Sequence, residues 1–204
     1  TAVLTGIDAV RVLKDREYRL FTVGEMGIGN TTTSSAVASV LLRKEPELVT
    51  GCGAGLDLAG LKRKTKAIRR GIDLHQPDPM DGMDVLQKVG GFDLAAMAGA
   101  FLGGAIYHVP VVIDGVIAAA AAAAAGRIAP AATDYMLAAH VSAEPASIWL
   151  LDLIGVTPAI RAGLRLGEGT GALALFPLLD MALSIYRDMD TFAEMEIEEY
   201  KPLV

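Results

Sequence analysis

Short apolar runs alternate with longer segments of helical character along this chain, and glycine-rich loops join several of them. Residues 20–23, 111–113 and 135–140 have the length and composition of buried strands. Strands that alternate with helices form parallel sheets covered by helices. The pattern therefore predicts an α/β fold with a mostly parallel sheet and flanking helices.

Polar residues and glycines mark the expected ends of the helices. Asp57 is expected to cap a helix that ends at Gly71, and Asp81 a helix that ends at Gly90. Other helices are predicted over residues 31–42, 93–107, 116–125, 146–154 and 170–186. The acidic segment 191–204 is predicted to be a solvated helix followed by a tail.

Three loops follow the predicted strands: residues 24–32, 114–115 and 142–145. In a parallel α/β sheet the ligand crevice lies beyond the carboxyl ends of the strands. We therefore expect a ligand site where these loops meet.

Residues 94–113 contain no Asp, Glu, Lys or Arg over 20 positions, which is the minimal length of a membrane-spanning helix. Two adjacent glycines, Gly103 and Gly104, and then Pro110 interrupt the stretch. Its β-branched end is typical of a buried strand. We therefore expect a packed helix followed by a strand, and no membrane span.

Small residues dominate the composition, with 33 Ala and 22 Gly among 204 residues, 52% hydrophobic and 5% aromatic. The apolar content excludes a disordered tail, and the lack of a fixed period excludes coiled coils and solenoids. Residues 118–125 are eight consecutive alanines. A helix of such small side chains must lie close to its neighbours or leave a poorly filled core.

The formal net charge is −6, which disfavours nucleic acid as a partner because binders of the phosphate backbone are usually basic. The single cysteine, Cys52, cannot form an internal disulfide. Residues 1–13 show no secretory leader, so a reducing, cytoplasmic location is expected.

The loop Gly24-Glu-Met-Gly-Ile-Gly-Asn-Thr-Thr directly precedes a predicted helix. Closely spaced glycines at such a place let backbone N–H groups point at an anion, so a phosphate site is expected; the alternative is a tight turn. Asn30 stands where a Walker A loop needs its Lys, which disfavours hydrolysis of ATP or GTP. Thr32 stands where the dinucleotide-binding fingerprint needs its third Gly.

Cations and carboxylates elsewhere are candidates for the same site. Six of the 18 cations fall within residues 62–70, and one inward-facing Lys among them would complete a monophosphate site. Glu168, between two glycines, is either a ligand-facing carboxylate or an ordinary surface residue. Glu25, inside the phosphate-type loop, suggests a cationic or proton-donating partner nearby. The spacing of the three histidines is unlike that of metal ligands, so we expect no metal and structural roles for His75, His108 and His140.

Together these segments resemble the nicotinate-nucleotide:dimethylbenzimidazole phosphoribosyltransferase family, whose reaction supplies the lower ligand of cobalamin. The matching strings occur in family order: Gly24-Glu-Met-Gly-Ile-Gly-Asn-Thr-Thr, Gln76-Pro-Asp, Asp84-Val-Leu, Gly90-Gly-Phe, Pro110-Val-Val-Ile-Asp-Gly, Ser142-Ala-Glu-Pro and Leu164-Arg-Leu-Gly-Glu-Gly-Thr-Gly-Ala. Each string is weak alone, whereas the ordered set is specific. The chain departs from the family pattern at Ala146-Ser147, where relatives carry Gly-His.

The resemblance implies a Rossmann-like large domain, a smaller helical domain and a homodimer. Residues 1–186 would form the catalytic domain, and residues 187–204 would contribute a helix and tail to the small domain. The match begins partway into the family pattern. The N-terminal part of the small domain and of the base pocket is therefore expected to lie outside this chain.

The resemblance also implies roles for individual residues, with nicotinate mononucleotide and dimethylbenzimidazole as substrates and no cofactor. Glu168 would be the general base and Glu25 a second carboxylate at the reacting centre. The phosphate would be bound by Gly27, Ile28, Gly29, Lys64 and Ser142. The ribose or base would lie near Met26, Asn30, Thr31, Asp114, Gly115, Glu144 and Gly169.

The chemistry accounts for these residue types. The ring nitrogen of nicotinate mononucleotide is a quaternary pyridinium, so nicotinate leaves without being protonated. Attack by one benzimidazole nitrogen releases the proton on the other, which a Glu can accept, and further carboxylates favour positive charge on the ribose. Two alternatives remain open: a fragment that binds phosphoribosyl ligands without reaction, and a P-loop-type hydrolase or kinase, which Asn30 disfavours.

Overall fold

The computed structural model describes residues 1–53 and 55–198. The strands are β1 (Phe21–Val23), β2 (Val111–Ile113) and β3 (Met136–Ala138). The helices are α1 (Ala2–Asp15), α2 (Asn30–Leu42), α3 (Pro46–Val49), α4 (Leu58–His75), α5 (Gly82–Val89), α6 (Phe92–Tyr107), α7 (Val116–Ile128), α8 (Ser147–Leu153), α9 (Thr170–Leu173) and α10 (Phe176–Asp188), with a 3-10 helix at Pro130–Tyr135.

The three strands form one parallel sheet in the order β1-β2-β3. Val23, Ile113 and Ala138 are register partners at the carboxyl ends of their strands. The loops that follow these residues therefore leave the sheet at the same edge. The predicted α/β fold with a parallel sheet and flanking helices is confirmed.

The two faces of the sheet pack against different helices. Alternate side chains of a strand point to opposite faces. Val111 and Ile113 belong to the main core, which contains residues of α2, α5, α6, α7 and α8. Val112 instead packs with Ala172 of α9 and Leu175 in a smaller cluster on the other face.

The alanine run lies at the centre of the molecule. All eight residues from Ala118 to Ala125 are at most 2% exposed. A Cβ added at Gly82 of α5 would lie 2.3 Å from the Ala124 carbonyl oxygen, so the two helices are nearly in backbone contact. Close approach of neighbours, the first of the two expected possibilities, is therefore what accommodates these small side chains.

Helix caps are confirmed, but several predicted helix ends are wrong. Asp57 Oδ1 accepts from the Gly60 N–H at 2.6 Å, and Asp81 caps α5 in the same way. However, α4 continues through Gly71 to His75, and α7 continues through Gly126 to Ile128. A glycine inside a helix weakens it by about 1 kcal/mol relative to alanine and does not by itself end it.

The C-terminal third differs most from expectation. The single helix predicted over residues 170–186 is divided into α9 and α10, with a proline in the first turn of α10. The strand predicted over residues 135–140 is shortened to β3, because residue 135 belongs to the 3-10 helix. Residues 191–198 form turns rather than the predicted helix, and residues 199–204 lie outside the described part.

The stretch without charged residues is divided between α6, the intervening turn and β2. None of the helices within residues 1–53 and 55–198 combines the length and the apolar character that crossing a membrane requires.

Two helix glycines should respond in opposite ways to alanine. A Cβ at Gly99 of α6 would lie 2.0 Å from the Val3 carbonyl oxygen of α1, whereas a Cβ at Gly71 of α4 meets nothing within 4 Å. Gly99→Ala should therefore reduce the free energy of unfolding by about 1–3 kcal/mol. Gly71→Ala should increase it by about 0.4–1 kcal/mol, because alanine has less freedom in the unfolded chain. Chemical denaturation of the complete protein measures both, and equal stability of the two variants would contradict the close α1–α6 packing.

Candidate active site

A cavity of about 310 Å³ lies at the carboxyl edge of the sheet. The loop after β1, the loop after β2 with the start of α7, and the loop after β3 all contribute to it. The segment of residues 164–167 closes a further side. The lining residues are Glu25, Met26, Gly27, Thr31, Cys52, Gly53, Asp114, Gly115, Val116, Ile117, Ala118, His140, Ser142, Ala143, Glu144, Leu164, Arg165, Leu166 and Gly167.

The glycine loop enters the cavity from β1. Gly27 and Gly29 have φ angles of 87° and 84°, in the left-handed region that glycine adopts without strain. The Glu25 carboxylate accepts from the Gly27 N–H at 2.5 Å, so the partner of this acid is a backbone donor. Ile28 and Gly29 are exposed and do not line the cavity. An anion that binds the Gly27 N–H therefore has to displace the Glu25 carboxylate.

The first turn of α2 points in two directions. Asn30 is buried away from the cavity, and its Nδ2 donates to Asp93 Oδ2 of α6 at 2.9 Å. Thr31 lines the cavity, and its Oγ1 accepts from Lys64 Nζ at 3.0 Å. Asn30 thus links α2 to α6, and Thr31 faces the cavity.

Lys64 is the inward-facing cation among the six of α4. It is 7% exposed, whereas the others are exposed: Lys62, Arg63, Lys66, Arg69 and Arg70. Its Nζ also donates to the Gly51 carbonyl oxygen at 3.1 Å, directly behind the cavity wall. Burial lowers the pKa of Lys64 from the ordinary lysine value, and the nearby Glu144 carboxylate offsets part of this effect.

The loop after β3 carries a serine and a carboxylate to the cavity. The buried Ser142 N–H donates to Ser147 Oγ at 3.0 Å, so the serine that departs from the family pattern closes this turn. The Glu144 carboxylate packs on Gly51, where an added Cβ would lie 1.7 Å from Glu144 Oε2. Glu144 and Lys64 therefore meet at the same piece of backbone.

Glu168 lies on an exposed turn at the edge of the cavity and is not among its lining residues. Gly167, Glu168 and Gly169 have φ angles of 83°, 58° and 78°, so three consecutive residues are left-handed. The Glu168 N–H donates to the Glu25 carbonyl oxygen at 2.9 Å. A Cβ at Gly24 would lie 2.3 Å from the Gly169 nitrogen. The two candidate catalytic carboxylates are thus on loops in direct backbone contact.

Asp114 and His140 form a buried pair at the floor of the cavity. Each is 4% exposed, and His140 Nε2 lies 3.6 Å from Asp114 Oδ1. Interaction with this carboxylate raises the pKa of His140 despite its burial. Burial would raise the pKa of Asp114, but His140 and the N–H groups of Ala172 and Gly169 outweigh it and lower that pKa.

The signs of these shifts define when the pair stabilises the fold. A lowered carboxyl pKa contributes stability above its ordinary value of 3.8, and a raised histidine pKa contributes it below its ordinary value of 6.5. The contribution is complete between these two values. It is lost as pH falls through the lowered pKa of Asp114 or rises through the raised pKa of His140.

Several lining residues were not singled out from the sequence. Arg165 is the one permanent cation among the described lining residues, and Cys52 and Gly53 form the wall nearest α4. His140, expected to be structural, also reaches the cavity. Arg165 could have been found from the sequence, because it is a basic residue in the same string as Glu168. Nothing in the spacing of His140 signalled its contact with Asp114.

Within residues 1–53 and 55–198, no group of three His, Cys, Asp or Glu side chains could hold a metal ion.

Comparisons with known proteins agree with one family. A family profile described as phosphoribosyltransferase matches residues 1–197. The chain is 48% identical over 202 residues to the nicotinate-nucleotide--dimethylbenzimidazole phosphoribosyltransferase of Ruminiclostridium cellulolyticum, covering 99% of this chain and 57% of that protein. It is 48% identical over 198 residues to the protein of the same name from Clostridium acetobutylicum, covering 97% and 56%.

A solved structure shows the same fold. The crystal structure of CobT from Thermus thermophilus superposes with a TM-score of 0.90 at 38% identity, covering 98% of this chain and 59% of that chain. The chain therefore spans between 56% and 59% of the length of these relatives.

Proposed function

This chain belongs to the nicotinate-nucleotide:dimethylbenzimidazole phosphoribosyltransferase family, and on that premise we propose that it carries the active-site core of this enzyme. The reaction transfers the 5-phosphoribosyl group of nicotinate mononucleotide to 5,6-dimethylbenzimidazole, giving α-ribazole 5′-phosphate and nicotinate, a step in cobalamin synthesis. The observation that carries the proposal is the convergence of the loops after all three strands on one cavity, with carboxylates on several sides and Lys64 behind one wall.

We place the phosphate at the Gly27 end of the cavity. Thr31 and Ser142 line the cavity and supply hydroxyl groups to the phosphate. The buried ammonium group of Lys64 donates to Thr31 Oγ1 and adds a positive charge beside this position. Buried cations attract phosphate more strongly than exposed ones, because water screens them less. Gly29 and Ile28 would join this site only if the loop moves inward on binding.

We place the nicotinate and benzimidazole rings at the mouth of the cavity. Met26 and Leu166 line the cavity and remain exposed, at 62% and 71%. Exposed apolar side chains at the mouth of the cavity suit an aromatic base, whose flat faces they can cover. Arg165 suits the carboxylate of nicotinate, because a guanidinium can bind a carboxylate with two hydrogen bonds.

The reaction needs one bond to form, one to break and one proton to move. A benzimidazole nitrogen attacks C1′ of the ribose, and the bond from C1′ to the nicotinate nitrogen breaks with its electron pair going to that nitrogen. The proton on the other benzimidazole nitrogen passes to Glu168 as general base. Glu25, on the contacting loop, stabilises positive charge on the ribose in the transition state. Asp114, Gly115 and Glu144 face the same cavity, whereas Gly169 and Asn30 support it from behind.

Three further properties belong to this proposal. Homodimer formation and a cytoplasmic location are taken from the family resemblance and from the single thiol. The division into a domain of residues 1–186 and a C-terminal segment stays a prediction.

A second candidate is binding of the phosphoribosyl ligand without transfer. It is favoured by the exposure of Glu168, which does not line the cavity. Both candidates place the phosphate at the same wall and differ only in whether a base reaches the reacting nitrogen.

Incubation of the complete protein with nicotinate mononucleotide and dimethylbenzimidazole tests the proposal. Nicotinate should be released only when both substrates are present, in amounts equal to the α-ribazole 5′-phosphate formed. Calorimetric binding of nicotinate mononucleotide without any product would support the second candidate. An absence of both binding and product would overturn the assignment of the cavity.

A further inference from the structure

We propose that Asp114, with His140 behind it, is a positioning residue that holds the turn of residues 167–169, and with it Glu168, beside the reaction centre. This inference rests on the proposed function, because the effect of Asp114 on turnover would act through Glu168. It also changes the expected role of Asp114 from a contact with the ribose or base to a support of the loop.

Both oxygens of the Asp114 carboxylate are engaged by the segment that carries Glu168. Oδ2 accepts from the Gly169 N–H at 3.1 Å, and Oδ1 accepts from the Ala172 N–H at 2.9 Å. Gly169 is the N-cap residue of α9 and has no side chain with which to cap this short helix. The Asp114 carboxylate, which reaches across from the end of β2, supplies the acceptor and the negative charge that a helix N-terminus favours.

The backbone at Glu168 needs such support. Glu168 is the non-glycine member of three consecutive left-handed residues, with φ at 58°. A side-chain-bearing residue keeps this conformation only when the surrounding structure holds it there. The Glu25 carbonyl oxygen holds the N–H of Glu168 on one side, and Asp114 holds the following N–H on the other.

His140 fills the space beneath the same segment. A Cβ at Gly171 would lie 2.1 Å from His140 Nε2 and 3.0 Å from Asp114 Oδ1. The imidazole therefore packs directly against the backbone of α9. His140 Nε2 also faces Asp114 Oδ1 at 3.6 Å, and this proximity contributes to lowering the pKa of the Asp114 carboxyl.

The first test is Asp114→Asn in the complete protein, since Asn keeps the size but one of its two acceptor oxygens becomes an NH2 donor. We expect kcat for nicotinate release to fall about 10- to 100-fold, because small misplacement of a reacting group has effects of this size. KM for nicotinate mononucleotide should change less than about threefold, since the residues at the proposed phosphate position are unchanged. Asp81→Asn is the matched control, because Asp81 also accepts two backbone N–H groups at a helix N-terminus but lies outside the cavity. It should leave kcat unchanged.

The second test asks whether Asp114 acts through Glu168. In a Glu168→Gln background, Asp114→Asn should lower the remaining kcat by less than about twofold, because the group that it positions is already lost. A role that is independent of Glu168 would instead lower kcat by the same factor in both backgrounds. That result would overturn the proposal.

Replacement of His140 separates packing from pairing. His140→Gln keeps an N–H directed toward Asp114 and should retain kcat within about threefold. His140→Leu has no such donor, and its kcat should fall as far as that of Asp114→Asn. Equal kcat values for the two His140 variants would remove His140 from the positioning unit.

Hydrogen exchange decides the structural half of the proposal independently of activity. In Asp114→Asn, amides within residues 164–175 should exchange at least about tenfold faster, while β1 and β2 keep their protection. If the complete protein releases no nicotinate, the proposed function fails, yet this exchange result still stands or falls on its own. Unchanged exchange in residues 164–175 would overturn the positioning role.

Discussion

Replacing Glu168 with Gln lowers kcat for nicotinate release by about 10²–10⁴-fold, which is the usual contribution of a general base. Gln keeps the shape of the side chain but cannot accept the benzimidazole proton. The turn that carries residue 168 keeps its backbone contact to Glu25, because that contact uses the residue 168 N–H. Binding of nicotinate mononucleotide, measured by calorimetry, should therefore change less than about threefold.

A matched control exists elsewhere in the chain. Glu17 is also an exposed glutamate with a left-handed backbone, at φ 66°, and lies outside the cavity. Glu17→Gln should leave kcat unchanged, which separates loss of the base from loss of charge at such a turn. Unchanged kcat in Glu168→Gln would show that another group takes the proton.

Replacing Lys64 with Met weakens the binding of nicotinate mononucleotide by about 10- to 100-fold. A hydrogen bond to a charged group contributes about 1.5–3 kcal/mol, and about 1.4 kcal/mol corresponds to a tenfold change in Kd. Met fills the space of the lysine stem without the ammonium group. The effect should fall on Kd more than on kcat, because Lys64 lies beside the proposed phosphate position and not at the exposed turn of Glu168.

Lys66→Met is the control for this prediction. Lys66 lies two residues further along α4 and is exposed. If the basic helix attracts the ligand only through its total charge, the two variants will weaken binding equally. If the buried ammonium is the phosphate partner, only Lys64→Met will do so, and its circular dichroism spectrum should match that of the parent protein.

Elements with strong local signals were predictable from the sequence. The β-branched run at residues 111–113 became β2, and the carboxylates of Asp57 and Asp81 cap α4 and α5 as expected. Such features depend on a few neighbouring residues. The glycines at 71 and 126 misled the prediction of helix ends, because a glycine inside a helix weakens it without ending it, and both helices continue past these positions.

The candidate site was only partly predictable for a related reason. The loops after the strands meet at one cavity because parallel strands end at one edge of the sheet. Composition does not distinguish among the six clustered cations of α4, and only the family resemblance singled out Lys64. The tertiary structure then shows that Lys64 is the buried one and that its Nζ reaches the Gly51 carbonyl oxygen.

The sequence by itself therefore determined the alternation of strands and helices around a parallel sheet, the loops that meet at the cavity and the family to which the motifs belong. Local conformational preference and chain direction are sufficient for these features. The tertiary structure alone decided that the Glu25 carboxylate faces the Gly27 N–H, that α7 tolerates eight alanines, and that Asp114 and His140 lie beneath the turn of Glu168. Apart from the local contact between Glu25 and Gly27, these contacts join residues far apart in the chain, and their energies depend on burial and distance, which residue types and spacing do not specify.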